Sequence, residues 1–328
     1  MPRLSRLLLS AVLPFCLHFQ TQYRAVAEEP ETAAVHASVW SSKDAVHAVG
    51  FPDARENKKG VLSLDAGSLT FTSAATKAAI PRSAITAVSA GNDRVELWGT
   101  GGRILRMAIP EGGGLAAGAM MHHRVDMLTV EFLDPRGGMH SAVFYLPANE
   151  ATSALTAFSQ VPFAAAAMNL KGCGTNPVEP GSVLVEAPDW GAVEVPAAYR
   201  ALAYEHLLER LRTARGVRHV YRYGEINAGS ACPQYTIHVA VQTFKKGNQV
   251  VRAATGPIGM FTSATEITLN VRFQDHAGKL DVHQQIKATV RTESESTGVA
   301  DKLAKTLTKH YVAIVRTADA GDTAKAKS

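Results

Sequence analysis

Cysteine, aromatic side chains and long apolar runs are all scarce in this chain. Three cysteines among 328 residues cannot make a disulfide-dense scaffold, and no CxxC pair is present for zinc or thiol exchange. Aromatics are 7% of the residues, and no clustered basic face interleaved with them can be read, so nucleic acid is not an expected partner. Every internal apolar run falls short of the roughly 20 residues of a helical membrane span, so no stable span is expected in the mature chain. G-x-S-x-G, HExxH, GxGxxG and EF-hand patterns are missing as well. No cofactor, metal site or catalytic residue is therefore assigned. Nucleophile, base and orienter can still lie far apart in sequence, which keeps an exported hydrolase of unrecognised type as the alternative reading.

Acidic residues are absent from positions 1–27, which hold Arg3, Arg6 and Arg24; removing them takes the formal net charge from +5 to +2. Arg3 and Arg6 precede the apolar stretch Leu7 to Phe19, and Ala25-Val26-Ala27 is a small-x-small site. This is the layout of a secretory signal peptide cleaved after Ala27, and it sends the protein to the periplasm or outside the cell. Leu13-Pro14-Phe15 lacks the small residue that lipoprotein signals place before the cysteine, so Cys16 is not a lipidation site. Residues 28–49 are polar and alanine-rich and read as a flexible lead-in, with His36 and His47 solvated.

What the chain does have is period-two alternation. Over residues 50–160, Val61–Leu64 and Leu69–Phe71 flank a turn at Asp65–Ser68. Met127–Phe132 and His140–Leu146 flank a second turn at Asp134–Gly138, and residues 148–158 have helical spacing. A run of strands and one closing helix predicts a small antiparallel barrel or sandwich. The Gly-rich stretch 110–118 lacks the Lys-Ser/Thr of a phosphate loop. His122 and His123, with Asp126 nearby, alternate across a strand and read as solvated. Residues 161–193, rich in Pro and Gly, read as an inter-domain linker.

A second α+β domain is predicted over 194–316. Its first helix starts at Val195-Pro196, strands follow at 218–223, 235–244, 265–274 and 280–290, and a helix over 299–315 closes it; residues 317–328 read as a disordered tail. The order is α-β-β-β-β-α, a layer sandwich. His238, Glu266, Asn270, Arg272 and His283 fall on the wet phase of these strands, with Asp275 in the last turn, and read as a solvated face. The irregular stretch Lys245 to Phe261 is expected to form a contact surface for a partner or for the first domain, through Ile258, Met260 and Phe261. After leader cleavage only Cys173 and Cys232 remain, and an oxidising compartment would favour their pairing.

The strand order of residues 50–160, with its opening hairpin, Ile80-Pro81…Ile85…Val88 and Leu128-Thr-Val-Glu-Phe132, resembles the pleckstrin-homology superfold. The resemblance implies a fold rather than a lipid ligand, since 10 Lys/Arg are balanced by 10 Asp/Glu there. The C-terminal half resembles a bacterial envelope family known only as domain of unknown function number 4410. The matching residues are Val195-Pro196-x-x-Tyr199-Arg200, Phe244-x-x-Gly247-Asn248-x-x-x-Arg252, Gly256-x-x-Gly259 and Asp275-x-x-Gly278-Lys279-Leu280. It implies an exported, non-catalytic binding or assembly module whose partner is another envelope protein or component.

Overall fold

The structure, a computed structural model, describes residues 39–96, 122–160, 174–225, 231–247, 263–290 and 297–325. Twelve strands in two sheets and three α-helices make it α+β. In the first half β1 (Trp40–Val49), β2 (Lys58–Leu64), β3 (Ser68–Ser73), β4 (Lys77–Pro81), β5 (Ile85–Glu96), β6 (His122–Leu133) and β7 (Met139–Leu146) form an antiparallel sheet in the order β4-β3-β2-β1-β7-β6-β5. Its ends do not pair among the described residues, so the sheet is an open, sandwich-like wrap rather than a closed barrel.

Helix α1 (Glu150–Ser159) packs into this wrap and is held at both ends. At its start the Asp126 carboxylate accepts from the Ala151 backbone N–H at 3.2 Å; at its end Arg82 donates to the Phe158 carbonyl at 2.8 Å. Each charge also suits the helix dipole at that terminus. The two hairpin turns form as expected, with Asp65 Oδ1 accepting from the Gly67 and Ser68 backbones and Asp134 Oδ1 from those of Arg136 and Gly138.

Residues 40–49 are not a flexible lead-in. They are β1, the central strand of the sheet, paired with β2 on one side and β7 on the other. His47 is 1% exposed, not solvated. Its ring sits against Phe51, Phe71 and Phe144 at centroid distances of 5.5–6.3 Å. Nε2 accepts from the Phe51 N–H, which leaves Nδ1 to donate to the Arg55 carbonyl, both at 3.0 Å. That pair of bonds satisfies a neutral imidazole and lets it serve as a core aromatic.

The second sheet has the order β12-β11-β10-β8-β9, built from β8 (Val178–Val185), β9 (His219–Arg222), β10 (Cys232–Lys245), β11 (Thr265–Asp275) and β12 (Asp281–Val290). The expected linker over 161–193 therefore contains a strand: β8 lies between β9 and β10, parallel to both. Its Pro180-Gly181 falls at a register shift opposite Pro233 and Tyr235, where Gly181 takes φ +76° and donates to the Gln234 side chain at 2.6 Å. A bulge is where a strand tolerates both residue types. Helices α2 (Ala197–Arg212) and α3 (Gly298–Lys325) cover one face of this sheet. The order is thus β-α-β-β-β-β-α. Helix α3 also continues past Val315 to Lys325, into the stretch expected to be a disordered tail, which has no proline and several alanines. No helix among the described residues is long and apolar enough to cross a membrane.

Helix α2 is the hub. Ten of its sixteen residues are buried, because it packs on the second sheet and α3 and also on the back of the first sheet. Ala48, Val49, Met127 and Val143 of β1, β6 and β7 join its cluster, while Ala142, Phe144 and Leu146 of β7 point the other way, toward α1. Strands buried on both faces lose their alternation, which is why Ser141 to Phe144 are all buried in succession. A protease site engineered between residues 160 and 173 should therefore yield two fragments that co-elute on gel filtration and separate only in denaturant. Separation under native conditions would show that the shared packing is too weak to hold them.

Candidate functional site

Three groups of charged residues stand out. The first is the junction between the sheets. On α2, Glu205 is 3% exposed, and Arg222 at the end of β9 is 4% exposed. Their side chains meet in two parallel bonds of 2.8 and 2.7 Å. Glu205 Oε1 also accepts from the Ser141 N–H at 3.0 Å, and Arg222 Nη1 donates to the Met139 carbonyl at 3.0 Å. Glu225 accepts from the Arg222 backbone at 2.9 Å and pairs with Arg136 at 2.9 Å. Burial pulls the Arg222 guanidinium pKa down, but the charge and hydrogen bonds of Glu205 outweigh it and raise it overall. The Glu205–Arg222 pair joins α2 to β9, and its bonds to Ser141 and Met139, with the Arg136–Glu225 pair, tie β7 and its hairpin to that junction, so its chemistry is that of a lock.

His140 lies beside that lock, stacked on Phe132 at 5.0 Å and 3.2 Å from Asp134. Burial, and then the Arg222 charge, lower its pKa in spite of the two neighbouring carboxylates. The second group, on the face of the five-stranded sheet that no helix covers among the described residues, behaves oppositely. There His238 contacts Glu186 at 2.6 Å and Gln274 at 3.3 Å, and the Glu186 bond raises its pKa against the effect of burial. His140 thus opposes folding as pH falls below its ordinary ~6.5, because the unfolded chain takes up that proton more readily. His238 adds stability that is complete below ~6.5 and fades as pH rises through its raised value. Proton NMR should show the His238 ring titrating above, and the His140 ring below, the free-histidine range; the reverse order would contradict these surroundings.

The open face carries the sequence-derived wet residues. Arg272 forms two 2.7 Å bonds to Asp281, which also lies 3.3 Å from His283. Glu266 pairs with Lys287 at 2.7 Å, and Asn270 is exposed. Asp275 is a turn residue, its Oδ1 accepting from the Leu280 N–H at 2.8 Å. The second group also takes in a set on β8 and β9 that no sequence pattern marks: Glu179 accepts from the Tyr221 hydroxyl and lies 3.1 Å from His219. Burial and Glu179 push the Tyr221 pKa up to about 12. These groups are pinned two or three at a time along a sheet face. Between α2, α3 and the same sheet lies a cavity of about 20 Å³, lined by Trp190, Leu207, Leu269 and Leu303 among others and large enough for one water.

The third group is the end of β10. Lys246 donates to the Asn92 carbonyl on β5 at 3.0 Å and lies 5.6 Å from the Tyr199 ring centroid. The start of the expected contact stretch thus touches the first half of the chain. Ile258, Met260 and Phe261 lie outside the described residues, as do Cys173, the cleavage site at Ala27 and the Gly-rich stretch 110–118. Asp126 caps α1, and no cluster of three or more metal-type ligands occurs among the described residues. Cys232 is buried and disulfide-bonded.

No family model matches the chain, and no curated protein matches it. Among solved structures it is similar to the dodecamer of a PelC point variant from Paraburkholderia phytofirmans. The two share 15% identity over 44% of this chain and 94% of that one, with a TM-score of 0.27.

Proposed function

We propose that this protein is an exported, non-catalytic envelope module that binds or assembles with another envelope component. The observation that carries the reading is the face of the second sheet that no helix covers among the described residues: a polar surface whose charged groups are held in fixed pairs on a sheet packed from behind by α2 and α3. A surface of that kind presents donors and acceptors to a partner with little ordering cost. The resemblance to the envelope family is consistent with it. For the first half, the strand order followed by α1 supports the pleckstrin-homology-like reading as a fold. Ile258, Met260 and Phe261 remain the proposed contact residues.

The test has two parts. Mass spectrometry of protein recovered from the cell envelope should find a chain beginning at Glu28; cytosolic protein retaining Met1 would end the export reading. Photo-crosslinkers placed at the exposed Gln242, Asn270 and Gln285 should give one discrete adduct in intact cells, and Ile258→Ser with Met260→Ser should abolish it without changing the melting temperature. Absence of any discrete adduct would sink the binding reading. The alternative, an exported hydrolase, draws on the Tyr221–Glu179–His219 group, and would be selected by ester or amide hydrolysis that Glu179→Gln eliminates.

A further inference from the structure

Lys305, Lys309, Val312 and Arg316 follow one another at spacings of four, three and four, which stacks them on one face of α3. Beside them the end of α2 brings Arg210 and Thr213, followed by Ala214. Together these residues line a groove of about 470 Å³ on the helical side of the molecule. Among the described residues four cations line it and no carboxylate does. The acid that touches them is Asp301, which Arg210 holds through bonds of 3.1 and 2.5 Å. Among the described residues the balance is four positive charges against one negative.

Ordinary structural roles do not absorb this charge. A cation in the last turn of a helix complements its dipole, and that accounts for Arg210. Lys305 and Lys309 sit well inside α3, which runs to Lys325. As like charges at i,i+4 they repel each other, and the helix is less stable for having both. Val312, Ala313 and Ala214 give the groove apolar walls, beside which ionic interactions are less screened than in open water. Among the described residues no aromatic side chain lines it for a base to stack on, unlike a single-stranded nucleic-acid site.

We infer that this groove binds a multiply charged phosphate anion, either free or carried on a lipid headgroup. Two ammonium groups, the Arg316 guanidinium and the N–H groups that Arg210 has left over from Asp301 supply many donors and no acceptor, a match for the several oxygens and multiple charges of linked phosphates. A single carboxylate would leave most of the charge unmatched. The groove lies on the side of the second sheet opposite its open face, so the inference is independent of the partner reading above.

The experiment uses the full mature chain, inorganic tripolyphosphate as the free probe, and vesicles of phosphatidylcholine with or without cardiolipin, whose headgroup carries two linked phosphates. Calorimetry should show tripolyphosphate binding that weakens with added salt. Lys305→Glu with Lys309→Glu should reduce its affinity by about tenfold or more, while Lys279→Glu in the β11–β12 turn should leave it unchanged. Both lysines are exposed, so an unaltered melting curve will certify the folded variant. Co-sedimentation with the cardiolipin vesicles, lost in the double variant, assigns the phosphate to a lipid headgroup; tripolyphosphate binding without co-sedimentation assigns it to a soluble anion. If neither probe binds, or the double variant binds as tightly as the parent, the inference is overturned.

Discussion

Replacing Glu205 by alanine is expected to cost about 3–5 kcal/mol of folding stability, the range for stranding one partner of a buried ion pair. Arg222 would keep its charge at 4% exposure with the Met139 carbonyl as its remaining described side-chain acceptor. The Ser141 N–H would also lose the acceptor it has at 3.0 Å. Glu205→Gln should fall short of the full loss because it keeps one acceptor oxygen. Removing both charges with Glu205→Leu and Arg222→Met should cost less than the sum of the two single changes, since neither residue then strands the other. Urea unfolding of the parent, Glu205→Ala, Glu205→Gln, the single variants Glu205→Leu and Arg222→Met, and their double variant measures all of this. A Glu205→Ala loss of under about 1 kcal/mol would mean that water reaches the site and the pair behaves as a surface pair.

The second large effect concerns Cys232. This residue opens β10, is fully buried, and donates its backbone N–H to the Pro177 carbonyl at 2.9 Å. In the parallel ladder it faces Val178, five residues after Cys173 in the sequence. We propose Cys173 as its disulfide partner. Unreduced mature protein unfolded in denaturant should then show no thiol that reacts with a labelling reagent. The bond closes a loop of roughly 60 residues, and Cys232→Ser should destabilise the fold by about 2–4 kcal/mol. Two reactive thiols per chain would eliminate the bond, and with it this stability difference.

Much of the fold was legible because many strands have one wet face. In β10 to β12 and in the β2–β3 and β6–β7 hairpins, alternation and turn chemistry pointed to the elements that form. Two central strands escaped for different physical reasons. The inward positions of β1 include Ser42, Ala45 and His47, small or polar side chains that carry no hydrophobic signal, and a register shift between Ser42 and Ala45 breaks their phase. In β8 the Pro180-Gly181 pair reads as a linker and forms a bulge instead. The junction was invisible because Glu205 and Arg222 each sit next to a buried tyrosine in an otherwise apolar environment. Nothing local says that two such charges, 17 residues apart on different elements, will meet. The cationic row on α3 could be read from its spacing alone, whereas the part played by Arg210 needed the helix pairing.

The position of α2 has a consequence for how the chain comes to be made. Synthesis runs from the N-terminus, so β1 to β7 and α1 emerge before α2 exists. At that moment the first sheet can close over its own interior, through Phe71, Phe144 and Phe158. Its back, with Ala48, Val49, Met127 and Val143, still has nothing to rest on. That patch becomes a landing strip for the next element to arrive, and until α2 arrives it is sticky toward other nascent chains. A chain stalled after residue 160 should consequently aggregate, or sit on a holding chaperone, where a self-sufficient domain would float free.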